Sequence, residues 1–169
     1  MKKQNQEFRI AHHRDAERIL SLYQRAKGEE FCVWNDNYPS IMEIDHDLET
    51  KNLYVLTDDG KVIGAISVVP ENELDGFDCW ACKGGKEIAR VVVDRAYRGR
   101  GLSFEMVKSI EAILEKSGCE AIHLSVVKSN IPAYKTYIKA GFVTVGEAQM
   151  YGNDYYLMEK GARYEILEY

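Results

Sequence analysis

The sequence has little of what would place it in a membrane, on a nucleic acid or inside a disulfide framework. Its longest apolar-rich stretch, Val62 to Val69, is broken by Gly64 and Ser67 and falls well short of the ~20 apolar residues a spanning helix needs. The basic start, Met1-Lys2-Lys3, runs into no apolar segment, so no secretory signal is read and a soluble, cytoplasmic protein is expected. Basic side chains are in deficit, 22 against 27 acidic ones, for a net charge of -5. Nucleic-acid surfaces are normally basic, so neither that partner nor a membrane is expected, and an acidic surface draws cationic amines instead.

Cysteine is sparse too. Cys32, Cys79, Cys82 and Cys119 make no disulfide framework in a chain of 169 residues. Cys79 and Cys82 have C-x-x-C spacing, yet a zinc site needs two more ligands, and Cys32, His12, His13, His46 and His123 show no paired spacing to supply them; no metal is expected. A redox pair would open a helix, whereas Gly76 and Gly84-Gly85 put this one in a loop, so two reduced thiols in a surface insertion are expected. No Gly-Lys-(Ser or Thr) loop is present, and Gly99-x-Gly101 lacks the third glycine of a dinucleotide fingerprint. Repeats, heptads and low-complexity tracts are missing as well.

What is present is an ordinary globular mixture, 46% hydrophobic and 29% charged, long enough for one domain spanning 1–169. Phe8–Ile10 reads as a strand. Ala16, Ile19, Leu20, Tyr23 and Ala26 make a helical stripe over Arg14–Lys27, with Gly28 as its stop. A second helix is predicted near Ser40–Glu49, where Ser40 and Glu43 form a capping box. Leu53–Leu56 and Val62–Val69 are strands joined by the hairpin sequence Asp58-Asp59-Gly60-Lys61. An insertion, Pro70–Gly85, precedes a strand over Glu87–Val93. The next helix runs from Gly101 to Ser117, with Leu102, Met106, Ile110, Ile113 and Leu114 on one face and Gly118 after it. Ala121–Val127 is a strand, Pro132 suits the first turn of a helix stopping at Gly141, and Phe142–Val145 and Tyr155–Met158 close the sheet.

Two stretches carry chemistry. The strand Glu87–Val93 runs into Tyr97-Arg98-Gly99-Arg100-Gly101-Leu102-Ser103 and a helix, an arrangement that makes a phosphate cradle because unpaired N–H groups and the positive helix end converge there. Further on stand Asn130, Ala133, Tyr137, Gly141 and Phe142. Together these resemble the acyl-coenzyme A site of the GNAT superfamily of N-acetyltransferases. The family pattern (Arg or Gln)-x-x-Gly-x-(Gly or Ala) is met at Arg98 and Gly101, while Ser103 stands where the family has Gly or Ala. Its second pattern, Asn-x-x-Ala-x-x-x-Tyr-x-x-x-Gly-Phe, is met throughout, and the likeness covers roughly residues 52–160.

The resemblance implies an α/β acyltransferase fold, with a mixed, splayed sheet of six or seven strands and helices on both faces. It implies acetyl-coenzyme A as acyl donor, its pyrophosphate held by the backbone of Arg98, Gly99, Arg100, Gly101, Leu102 and Ser103. The cradle strand would bulge and part from its neighbour, Val91 and Val93 offering main-chain contacts to the pantetheine arm and an N–H near Val92 polarising the thioester carbonyl. Asn130 would contact the coenzyme or cap its helix. Tyr137 would protonate the departing thiolate, unless it is core aromatic packing. Glu87, or ordered water in its place, would serve as base.

On the acceptor side the same resemblance implies that Trp34 and Tyr38 flank an amine and Glu30 or Asp36 pairs with it, the alternative being rings packed on the domain. The implied reaction is direct acetyl transfer to a primary amine, on a small molecule or a protein, in a ternary complex. A non-catalytic acyl-coenzyme A sensor is the rival from another class, and a longer acyl chain a third possibility. The tail Arg163–Tyr169 could finish the sheet or pack on a second copy in a homodimer.

Overall fold

A computed structural model describes residues 5–69 and 73–161 of the chain. The start at Met1-Lys2-Lys3 and the tail Arg163–Tyr169 lie outside the described residues. The strands are β1 (Gln6–Ile10), β2 (Leu53–Asp58), β3 (Lys61–Val69), β4 (Lys86–Val93), β5 (Ala121–Val127), β6 (Val143–Met150) and β7 (Asn153–Gly161). The helices are α1 (Ala16–Ala26), α2 (Ile41–Glu49), α3 (Leu102–Lys116) and α4 (Ile131–Lys139). One seven-stranded sheet has the order β1-β2-β3-β4-β5-β7-β6. Every pairing is antiparallel except that of β4 with β5, which makes the sheet mixed, as the resemblance implied.

Local chemistry explains most boundaries. Ser40 caps α2, its hydroxyl accepting from Met42 N at 3.2 Å while its own N–H donates to Glu43 Oε2 at 2.7 Å. Asp59 and Gly60, at φ 51° and 83°, make the tight β2–β3 turn whose twist matches the strands it joins. The first helix differs from expectation: His13–Asp15 form a separate 3-10 turn, in which Asp15 caps the N–H of His12 at 2.8 Å and binds Arg9. On α3, Ile113 lies 37% exposed at one margin of the stripe, whereas Val107 at the other margin is buried. The last two strands are longer than predicted. Tyr151 and Gly152 alone turn the chain at φ 53° and 79°, and a tyrosine in left-handed backbone is no turn signal.

Two cores flank the sheet. On one face α3 and α4 cover Ile66, Val68, Ile88, Ile122, Leu124 and Met158, with Met106 and Ile110 fully buried among them. On the other, α1 and α2 cover only the β1–β4 half, burying Ile19, Tyr23, Ile44, Val55 and Val92. The β5–β7–β6 half of that face is covered by the insertion, which corrects its reading as a surface loop: Leu74, Trp80 and Leu157 form a third core. The strands there carry apolar side chains and none of α1 to α4 packs on them, so the insertion supplies the missing layer. Trp80 Nε1 donates to the Leu74 carbonyl at 2.7 Å and its ring stacks on His123 at 3.9 Å between centroids. The fully buried Glu159 carboxylate accepts from Ala81 N at 2.9 Å, Cys82 N at 3.1 Å and His123 Nε2 at 2.7 Å. Cys79 and Cys82 are half-buried and form no disulfide among the described residues.

Candidate active site

The chain leaves β4 through Asp94, whose carboxylate accepts from Ala96 N at 3.0 Å and from Arg18 at 2.5 Å, and turns over Arg95–Tyr97 into α3. Gly99 and Gly101 stand at φ 78° and 74°, where an L side chain is strained. A Cβ on either would meet no atom within 4 Å, so the mouth of the helix is open. The first amide with an intrahelical partner is that of Glu105, donating to Gly101 O at 3.1 Å; those of Gly99 to Phe104 find no acceptor among the described residues. Free N–H groups at a helix start, with about half a positive charge from the helix dipole, suit a pyrophosphate.

The flanking arginines turn elsewhere. Arg98 pairs with Glu29, its Nε donating to Val93 O at 3.3 Å, and its amide bonds Arg95 O at 3.4 Å. Arg95 reaches the same Glu29 at 3.0 Å. Burial would raise the Glu29 carboxyl, but the two guanidiniums hold it below its ordinary value. Arg100 lies over the Tyr97 ring at 5.0 Å. Leu102 is buried and Ser103 half-buried in the first turn of α3.

Upstream, β4 touches β5 only at Lys86↔Ile122 and Glu87↔His123, and the two then part. The bulge, which nothing in the sequence located, falls at Arg90 and Val91: Ala65 pairs with Val92 and Ser67 with Ala89, leaving both opposite Ile66. Arg90 takes φ 53°. Val92 and Val93 are buried and Val91 half-buried, so their side chains pack while the β5-facing main chain borders the gap. Across that gap Asn130 caps α4, its Oδ1 accepting from Ala133 N at 3.2 Å. Tyr137 is edge-on to Phe142 at 6.0 Å, and its hydroxyl has no partner among the described residues. Burial pushes this phenol up to about 12, so at neutral pH it holds its proton.

Glu87 projects from the face opposite Ile88, towards Glu73 and Asp75 of the insertion. Burial, with Glu73 and Asp75 nearby, pushes its carboxyl up to about 7 against the opposing pull of Arg90. Tyr38, 40% exposed, receives a hydrogen bond from Arg90 Nη1 at 3.0 Å, and Tyr151 at the β6–β7 turn donates to Glu73 Oε2 at 2.5 Å. Trp34 instead packs edge-on against Tyr23 at 5.4 Å, and Glu30 is exposed with no ion pair among the described residues. Sequence reasoning missed Arg90, Asp47, Glu73 and Tyr151. Only Arg90 left a signal, as a charge within an apolar strand.

A cavity of about 610 Å³ lies at the far end of α3 beside Gly118, Cys119 and Lys160 and touches no cradle residue. Among the described residues no His, Cys, Asp and Glu group could hold a metal ion, and no helix is long and apolar enough to cross a membrane.

Comparison with known proteins agrees with this geometry. The acetyltransferase (GNAT) family model matches residues 16–142. A spermine/spermidine N(1)-acetyltransferase of Bacillus subtilis is 36% identical over 64 residues, a match spanning 37% of this chain but only 42% of that relative. An acetyltransferase of Pectobacterium atrosepticum is 27% identical over 141 residues, 82% of this chain and 89% of the relative. The same fold is found in a GNAT acetyltransferase from Streptococcus agalactiae (TM-score 0.78, 18% identity, 94% and 96% of the two chains covered). It recurs in yncA of Salmonella typhimurium, solved with acetyl-CoA (TM-score 0.75, 20% identity, 94% of each chain).

Proposed function

The chain belongs to the acetyltransferase (GNAT) family, and from that premise we propose that it transfers an acetyl group from acetyl-coenzyme A to a primary amine. One observation carries the reading: the unpartnered amides of Gly99 to Phe104 open directly onto a strand that parts from its neighbour after two paired positions. The amides grip the pyrophosphate; the free edge of β4 at Val91 and Val93 receives the pantetheine arm; the N–H near Val92 faces the thioester oxygen.

Proton transfers fall to two groups held apart in character. A lysine-like amine is neutral in only about one part in 2,500 at pH 7, so the attack needs a base. Glu87, with its carboxyl near 7, takes a proton from the incoming ammonium, and Tyr137 gives one to the departing thiolate. Tyr38 and Tyr151 border the acceptor's entrance. Trp34 shapes it from behind through Tyr23, and Glu30 draws cations at longer range. Among amines we favour a polyamine: Glu73 and Asp75 beside Glu87 offer a second ammonium its partner, and polyamine acetylation is what the Bacillus relative is named for.

Thiol release from acetyl-coenzyme A, measured over polyamines, amino acids and short peptides, tests the proposal. Tyr137→Phe is expected to lower kcat about 100-fold while coenzyme A affinity by calorimetry holds. Coenzyme binding without turnover on any amine would establish the sensor reading instead.

A further inference from the structure

We propose that Arg90 is a positioning residue for acetyl transfer: its guanidinium, held between Asp47 and Tyr38, pins the β4 bulge and ties the acceptor loop to the acyl site. This rests on the reading above that the thioester lies along β4.

A non-glycine residue at φ 53° inside a strand is strained and needs something to hold it. Here the holder is a side chain only 10% exposed. Nη2 meets Asp47 Oδ2 of α2 at 2.8 Å, and Asp47 is itself 3% exposed. The same Oδ2 accepts from Ser67 Oγ of β3 at 2.7 Å, and Nη1 donates to the Tyr38 hydroxyl at 3.0 Å. One planar fork thus joins β4, α2 and the loop between α1 and α2, with β3 reached through Asp47. Burial would lower the pKa of this guanidinium, but Tyr38 and Asp47 keep it raised, so the charge is permanent. Arg90 Nε stays buried with no hydrogen-bond partner among the described residues. An ion pair that leaves donors unsatisfied is poor at stabilising a fold, so geometry is what it supplies.

The geometry acts on the chemistry twice. The residue after Arg90 completes the bulge, so rotating Arg90 out of left-handed backbone would re-aim the N–H groups of Val91 and Val92. Its charge also sits three residues from Glu87 and opposes the groups that keep that carboxyl protonated. Those facing Glu87 are Glu73 and Asp75 of the insertion, Tyr151 at the β6–β7 turn, and His123 beside it on β5, whose ring is turned to Glu159 and Trp80.

The test compares Arg90→Met, Arg90→Lys and Tyr38→Phe in the full chain, with acetyl-coenzyme A and spermidine. Arg90→Met is expected to lower kcat about 100-fold, the scale of a lost oxyanion donor. It should also move the acid limb of the kcat/KM profile to higher pH by about half a unit or more. Arg90→Lys keeps the charge, so it should return the limb but not kcat. Tyr38→Phe should raise KM for spermidine about tenfold, more than it lowers kcat, and leave the limb in place. Amide exchange at 89–93 in the free protein should quicken about tenfold in both Arg90 variants. If Arg90→Met does not fold, Arg90→Lys alone decides. Arg90→Lys with kcat within about threefold of wild type and unaltered exchange at Val91 and Val92 would overturn the proposal. A wild type that releases no thiol with any amine would sink the transfer reading, and exchange in the free protein would still judge Arg90.

Discussion

Two loops in this molecule aim backbone N–H groups at an anion, and they differ in who supplies it. At Ala81 and Cys82 the protein does: Glu159, fully buried, takes both amides at 2.9 and 3.1 Å and also holds His123. At Gly99 to Phe104 the described residues provide no acceptor, and a Cβ added to Gly99 or Gly101 would meet no atom within 4 Å. A filled amide cluster is structural, here locking the insertion over the half-face that none of α1 to α4 covers. An open one, at the surface and backed by a helix dipole, is built for a ligand.

The contrast breaks most severely at the filled end. Glu159→Ala leaves the buried His123 and the amides of Ala81 and Cys82 without their carboxylate, and should cost about 3–5 kcal/mol. Differential scanning calorimetry should register this as a fall in Tm of roughly 10 °C, with coenzyme affinity in the surviving folded fraction little altered. At the open end the signs reverse: Gly101→Val, a β-branched residue forced to φ 74°, should lose about 100-fold in coenzyme A affinity, while stability drops by only about 1–2 kcal/mol.

Glu87 sharpens the comparison, because it is a carboxylate that no protein donor claims. Its folded pKa, about 7, lies above the ordinary 4.5, so the folded state binds the extra proton. The resulting stability is complete below about pH 4.5 and disappears as pH rises through 7. Glu87→Gln should therefore outlast wild type in urea at pH 8, by on the order of 2 kcal/mol, while the two converge near pH 4. The same variant should lose the kinetic limb near pH 7 together with about 100-fold in kcat. Smallest of all, Ser103→Ala, which restores the family's small residue, should change coenzyme affinity by less than about threefold.

Local rules carried far along this chain. Ser40 with Glu43, Asp59 with Gly60, Asn130 with Ala133 and the left-handed Gly118 and Gly141 all sit where their turn or cap chemistry put them. The cradle was legible for the same reason, since it is made of glycines and a helix start. Side-chain destinations were not. Arg98 belongs to the glycine-turn motif yet spends its guanidinium on Glu29, and Trp34, open between an acceptor contact and a ring packed on the domain, packs on Tyr23. Each outcome depends on a partner beyond the reach of local turn and cap chemistry.

The order of elements, the capped ends and the glycine turn before α3 therefore followed from the residues alone, because hydrogen bonds and glycine torsions within a few positions set them. Where β4 bulges, what covers β5 and β7, and which carboxyl has its pKa raised had to wait for the packed chain. Those are questions of which distant surfaces meet and how much water they exclude, and no short stretch of sequence encodes them.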